Sequence, residues 1–421
     1  MDIVNKIVTQ LENGLYEQAL EEVQKILKSG SNEEKFLVAE QIYKFGFISE
    51  TKELIKQLLM DYPNEGELII LLAEILMEEG DEEAAILELE KISVADPSYP
   101  EALLLLADLF QMEGLYEVSE QKILKAKELL PNEVVIDFAL GELYSEEGKF
   151  IEAIRCYEKV LEKEETVAGV NVNQRIADAM SAGGAFEEAL RYYEKAIKER
   201  VELNTLFNYG FTALQAGFNQ KAIEQFLQLK ELDPEYFSLY MNLARAYERE
   251  EDLVKAYGVI KDGIKYDEFN KDLYFYGGKL ALKTGNEDEA ETMLREALAL
   301  DPELIEAART LNSLFILQER YGDVLEIISF VGVEEDPQFL WDEALAYQNL
   351  EEYSQALNSY ERAYTFFKDT SDFLAHYGYF LMEEGNREKA VEVFSKLIKL
   401  EPDNEEFFSV WQRLSEDISS Y

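Results

Sequence analysis

The chain has 421 residues and a net charge of −47, with 40 Lys and Arg against 87 Asp and Glu. Charge of this sign argues against general nucleic-acid binding and against anionic membranes, and it steers basic proteins toward the chain. A single cysteine, Cys156, excludes an internal disulfide framework, and no apolar run reaches signal-peptide or membrane-spanning length, so a cytoplasmic location is expected.

The first predicted element is a helical hairpin over residues 1–29, in which Ile3, Ile7, Leu15, Tyr16, Ala19, Leu20, Val23 and Ile26 are apolar at helical spacing. Gly14 marks its turn, and the small residue Ala19 follows five positions later. That pair then recurs as Gly46/Thr51, Gly80/Ala85, Gly114/Ser119, Gly148/Ala153, Gly184/Ala189, Gly217/Ala222, Glu251/Ala256, Gly285/Ala290, Glu319/Val324, Glu351/Ala356 and Gly385/Ala390. The twelve anchors stand 32, 34, 34, 34, 36, 33, 34, 34, 34, 32 and 34 residues apart. Seven residues before most anchors lies another small side chain: Ala39, Ala73, Ala107, Gly141, Ala177, Gly210, Ala244, Gly278, Ala344 and Gly378.

Residues 33–165 hold repeats two to five, the most regular section. The polar connection TVAGVNVNQR leads into repeat six, over about 167–200, and is the candidate for a local bend. Repeats seven to nine run to about 300. Repeat ten breaks the pattern with Asn312 and Val324 at the small positions, and repeats ten and eleven lack the turn glycine, so irregular packing is expected there. After Pro402, a last helix with Phe407, Phe408, Trp411 and Leu414 should cover the final hairpin. One such hairpin exposes apolar surface on more than one side and needs neighbours to bury it.

A period near 34 with two helices per unit, carried on several positions in twelve copies, resembles the tetratricopeptide repeat (TPR) family over nearly the whole chain. More loosely, the chain looks like the long acidic cytoplasmic TPR proteins of Gram-positive bacteria. The resemblance implies an all-α, right-handed superhelical solenoid of about twelve TPR hairpins with a C-terminal capping helix. It further implies one solenoid over residues 1–421, divided into repeats one to five (1–165), repeats six to nine (166–300), repeats ten to twelve (301–403) and the cap (404–421).

In the family, the first helix of each repeat lines a concave groove. Ten residues before the anchors stand Phe36, Ile70, Leu104, Phe138, Gln174, Phe207, Met241, Phe275, Arg309 and Trp341. Six before stand Glu40, Glu74, Asp108, Glu142 and Asp178, an acidic ladder suited to basic segments, and then Phe211, Arg245 and Lys279. Arg249 and Lys283 stand two before, and Asn208 and Asn242 nine before. The pairs Arg245/Arg249 and Lys279/Lys283 each share a helix face. By resemblance, Phe207, Asn208, Phe211, Met241, Asn242, Arg245, Arg249, Phe275, Lys279 and Lys283 form a peptide site, with the amides holding a partner's backbone and the cations an acidic group. The competing expectation is that these cations pair with Glu248, Glu250 or Asp272. Of a chaperone-type carboxylate clamp, Gln174/Asp178, Asn208 and Ser238/Asn242 keep only the middle asparagine, so that ligand is not expected.

Nothing in the chain has catalytic or metal-binding spacing. The single histidine, His376, has no nucleophile near it in sequence and reads as a packing or solvated side chain. Cys156 reads as a structural thiol, and pairs such as Glu78/Glu79 and Glu146/Glu147 read as solvated charge near turns. No cofactor is expected. The sequence thus predicts a non-enzymatic scaffold or adaptor for protein and peptide partners, the alternative being a peptide or anion sensor whose superhelix changes pitch on binding.

Overall fold

The computed structural model describes residues 2–333 and 335–419, so the last two residues of the expected cap, Ser420 and Tyr421, lie outside the described residues. The chain divides into two compact units, Met1–Ala216 and Gly217–Tyr421, parting at the seventh anchor. The first unit contains α1 (Asp2–Glu12), α2 (Tyr16–Ser29), α3 (Asn32–Lys44), α4 (Ile48–Asp61), α5 (Gly66–Glu78), α6 (Glu82–Leu89), α7 (Tyr99–Met112), α8 (Tyr116–Leu129), α9 (Val134–Glu146), α10 (Phe150–Leu161), the strands β1 (Thr166–Val167) and β2 (Val170–Asn171), then α11 (Val172–Ala182), α12 (Phe186–Glu199) and α13 (Leu203–Gln215). The second contains α14 (Asn219–Leu232), α15 (Ser238–Arg249), α16 (Leu253–Tyr266), α17 (Lys271–Lys283), α18 (Glu287–Leu300), α19 (Ile305–Leu317), α20 (Tyr321–Val331), α21 (Pro337–Asn349), α22 (Tyr353–Phe367), α23 (Ser371–Glu383), α24 (Arg387–Leu400) and α25 (Glu405–Ser419). Within each unit, sequential helices pack as antiparallel pairs, and each pair packs on the next. Among the described residues, no helix is long and apolar enough to cross a membrane.

The anchors make the turns. Gly148 sits at φ 76° and the amide of Lys149 reaches back to the Tyr144 carbonyl at 2.8 Å, closing a Schellman-type cap on α9. The same bond closes at the non-glycine anchors, from Asp252 to Tyr247, Arg320 to Phe315 and Glu352 to Tyr347. Glu251, Glu319 and Glu351 accordingly adopt φ of 61°, 57° and 60°, a left-handed backbone that side chains normally avoid. The packing forced by the helix on either side overrides the local preference, and α19 to α22 are regular helices. The missing turn glycines therefore do not break the helices of repeats ten and eleven.

Small residues set how closely the two helices of a pair approach. A Cβ on Gly141 would lie 2.4 Å from the Tyr157 ring, and one on Gly378 would lie 2.9 Å from the Phe394 ring. Aromatic rings of the second helix thus lie directly on the backbone of the first. Asn312, at the same column in repeat ten, is buried among apolar neighbours and bonded to Asp342.

The connection before repeat six is more ordered than its polar sequence suggests, and one expectation for the cap needs correction. That connection is a small β-hairpin, with Thr166 opposite Asn171 and Val167 opposite Val170. Its two turn residues, Ala168 and Gly169, both have positive φ (48° and 82°), as a two-residue hairpin turn requires. Glu199 ties it down by accepting from Thr166 Oγ1 at 3.0 Å and Asn171 Nδ2 at 2.5 Å. In α25, Phe407, Trp411 and Leu414 pack on the last hairpin, but Phe408 is 51% exposed and does not join the cap.

Candidate interaction face

With the small column buried under the second helix, residues two, six, nine and ten before each anchor lie on the sides of the first helix that face neighbouring repeats and solvent. The ten residues expected to form a peptide site fall into two groups, one per unit.

In the first unit, Phe207 and Phe211 stack on α13 with ring centres 6.4 Å apart, and Phe211 is exposed. Asn208 is already engaged, donating from Nδ2 to Asp178 at 3.0 Å. Asp178 also accepts from the Tyr193 hydroxyl at 2.6 Å. Burial nevertheless keeps its carboxyl above the usual carboxylate range, against the pull of those bonds. Glu142 accepts from the Tyr157 hydroxyl at 2.5 Å, and Arg175 Nε lies 3.1 Å from it. The lower rungs of the acidic ladder are thus internally satisfied. The upper rungs differ: Glu40 and Glu74 are half-buried and Asp108 is exposed. Burial and the neighbouring charges of Glu101 and Glu78 push the Glu74 carboxyl up.

In the second unit, the competing expectation describes Lys283. Lys283 Nζ lies 2.5 Å from Glu248, which also accepts from the Tyr276 hydroxyl. Burial of Glu248 opposes ionisation, but these bonds prevail and hold its carboxyl below the ordinary range. Asn242 turns its amide back to the Ser238 carbonyl at 2.9 Å, so neither asparagine presents a free amide N–H pair. Arg245 and Lys279 are different. Both are exposed, and neither has a carboxylate within ion-pair distance among the described residues. The Arg245 guanidinium lies 6.0 Å from the Tyr276 ring centre, and Lys279 Nζ lies 5.4 Å from that of Phe275. Met241 is half-buried on α15, and Arg249 ends that helix.

The same face continues past these cations into two open cavities. One, of about 460 Å³, is lined by Leu282 of α17 and by Arg309, Ser313, Leu314 and Leu317 of α19. Leu317 is 77% exposed there. The other, of about 340 Å³, lies among Ile316, Leu345, Gln348, His376 and Tyr379 of α19, α21 and α23. The sequence reading stopped the columns six and two before the anchor at repeat nine. Continued by the same count, the column six before the anchor gives Ser313, Leu345 and Tyr379, and the one two before gives Leu317. Their signal was present.

His376 is exposed at the second cavity and is held by Trp341. Its Nδ1 accepts from Trp341 Nε1 at 3.3 Å, and desolvation pushes its pKa down. Cys156 is buried, and burial raises its thiol pKa. Among the described residues, no group of His, Cys, Asp and Glu is arranged to hold a metal ion.

Comparison with known proteins places this geometry among repeat proteins. Family models described as YpiA-like tetratricopeptide repeats match residues 111–165, and YpiA-like C-terminal tetratricopeptide repeats match 337–404. General tetratricopeptide-repeat models match 48–109, 212–262 and 273–304. The TPR repeat-containing protein YpiA of Bacillus subtilis (strain 168) is 43% identical over 419 residues, covering 99% of each chain. Among solved structures, YrrB, described as a TPR protein with an unusual peptide-binding site, is similar over 45% of this chain and 96% of its own, at 18% identity and TM-score 0.39. The Cut9–Hcn1 hetero-tetramer structure is similar over 96% of this chain and 94% of its own, at 12% identity and TM-score 0.36.

Proposed function

The chain belongs to the YpiA-like tetratricopeptide-repeat proteins, all-α repeat solenoids of a class that serves as protein-interaction scaffolds, and on that premise we propose that it holds extended peptide segments of partner proteins against the first-helix face of its second unit. The observation that carries this reading is the pair Arg245 and Lys279. Two exposed cations without a carboxylate partner stand on a chain of net charge −47, each against an aromatic ring. An acidic residue or chain-terminal carboxylate on the ligand would supply the missing counter-charge. Large aliphatic side chains further along the ligand would enter the cavity at Leu282, Leu314 and Leu317, where burial adds about 25 cal/mol per Å² of apolar surface.

The like-charge crowding at Glu74 favours a basic segment as a second ligand, over Glu40, Glu74 and Asp108 in the first unit. Two segments held on one chain would gain effective concentration for each other, which is how an adaptor acts without chemistry of its own. The test is selection from a random peptide library. The native chain should enrich sequences that pair an acidic residue with a large aliphatic one, and the R245E/K279E variant should not, while its helical circular dichroism stays unchanged. Identical enrichment by both chains would remove the second-unit site.

A further inference from the structure

Thirteen residues after most anchors, the second helix carries a large side chain that closes on the repeat that follows. Leu27 and Leu298 hold that column in repeats one and nine, and both are buried. In repeat seven it is Lys230, bonded to Asp262 at 2.9 Å with its ammonium 5.6 Å from the Tyr240 ring centre. In repeat eleven it is Tyr364, whose ring lies 5.8 Å from that of Tyr377. Lys396 covers the Tyr364 ring at 4.7 Å and donates to its hydroxyl. Lys230 and Tyr364 thus fill the same slot. Its walls come from the next repeat, at the positions eleven and eight before the anchor and eleven after it.

Repeat ten lacks that side chain. Its second helix, α20, has 11 residues where α14, α16, α18 and α24 have 14. The thirteenth position is Gly332, the left-handed cap of α20, and a Cβ placed on it would meet no atom within 4 Å. The slot is accordingly an open cavity of about 430 Å³. Its walls are the expected columns: Leu340 eleven before the next anchor, Glu343 eight before it and Arg362 eleven after it. Leu325 and Ile328 of α20 add apolar wall. None of the residues of the first-helix peptide site takes part.

We propose that this slot receives an aromatic side chain, tyrosine or phenylalanine, from a partner protein, seated as Tyr364 is seated one repeat later. The walls favour that occupant. Arg362 stands in the column from which Lys396 covers the Tyr364 ring, and a cation is attracted to the face of an aromatic ring. Glu343 accepts from the Ser359 hydroxyl through Oε2 at 2.7 Å, which leaves Oε1 to accept from a phenolic O–H. Leu340 and Phe339 are 3% and 1% exposed and give the ring an apolar floor. One carboxylate and one guanidinium offset each other, so the slot suits a neutral group on a chain that otherwise attracts cations.

Side-chain analogues test the slot in the full-length native chain. At millimolar concentrations p-cresol, the side chain of tyrosine, should shift the methyl resonances of Leu325, Ile328 and Leu340 saturably. It should bind about threefold or more tightly than the aliphatic 3-methylbutan-1-ol. The S329W variant fills the cavity from the exposed Ser329 on its rim and should abolish these shifts while methyl resonances of α15 to α17 stay native. No saturable shift in the native chain, tighter binding of the alcohol, or unchanged shifts in S329W would overturn the slot. Selection from a random peptide library on the native chain, with S329W as the counter-selecting chain, should enrich tyrosine or phenylalanine. Ligands of the first-helix face bind both chains and drop out, so the outcome does not depend on Arg245 and Lys279. Absence of aromatic enrichment would overturn the partner. A concentration-dependent dimer in sedimentation, lost in S329W, would assign the slot to a second copy of this chain instead.

Discussion

At the scale of single residues, turn geometry is dictated by neighbours more than by the residue in the turn. Glu251, Glu319 and Glu351 hold a left-handed backbone because the helices on both sides leave the chain no other path. For an L-residue this costs roughly 1–2 kcal/mol, and glycine returns about 0.5–1 of that through its larger unfolded-state entropy. Replacement of any of the three by glycine should thus stabilise its unit by about 0.5–1 kcal/mol. Urea unfolding of E251G should show the midpoint moving upward, and a fall would mean that the Glu251 side chain holds the turn in some other way. The opposite sign is expected at Gly141, where alanine would drive a methyl into the Tyr157 ring. Overpacking of this kind typically costs 1–3 kcal/mol, so G141A should lower the same midpoint. These positions were legible in the sequence because the period, repeated twelve times, outweighs any one residue. What spacing does not carry is hydrogen bonding. Asn208 and Asn242 sit in the right column for a ligand, yet Asp178 and a backbone carbonyl have already claimed them.

At the scale of elements, each pair of helices leans mainly on the next, so damage should stay local. α25 tests this. Leu414 is 4% exposed and joins the cluster built from α21 to α24, including Phe394 and Leu397. Truncation to alanine removes about 2–5 kcal/mol of packing, as for other buried leucines. Hydrogen exchange in L414A should accelerate in α23 and α24 and remain native in α15 to α17. Uniform acceleration across the unit would instead mean that all its helices open together. The existence and order of the helices followed from periodicity, whereas the β-hairpin at 166–171 did not. Four residues of strand carry no period, and its turn depends on Ala168 accepting a positive φ that alanine seldom takes. Phe408 was misassigned to the cap for a related reason, since helical spacing shows which residues share a stripe but not how wide the covered stripe is.

For the whole molecule, electrostatics is a matter of excess. Even if each of the 40 cationic side chains neutralised one of the 87 anionic ones, 47 carboxylates would have no cation of their own. Surface ion pairs such as Lys6–Glu22 contribute little, roughly 0–1 kcal/mol each, and salt weakens them. Salt also screens the repulsion among the excess carboxylates, because the screening length falls from about 30 Å at 0.01 M to about 8 Å at 0.15 M. Repulsion is the larger quantity here, so the melting temperature should rise by several degrees between 10 and 300 mM NaCl. A fall would mean that the ion pairs dominate after all. The same balance sets the control for the proposed site. R245E/K279E adds four negative charges and would weaken any acidic ligand merely through the molecule's field. K125E/K198E, which places the same charge on exposed positions of other helices, adds an equal field without touching the face. In calorimetric titration with a selected acidic–aliphatic peptide at 300 mM NaCl, the control should bind within about threefold of the native chain. R245E/K279E should lose at least tenfold, because direct contact survives screening that removes the long-range field. Equal losses in the two variants would reduce Arg245 and Lys279 to contributors of bulk charge.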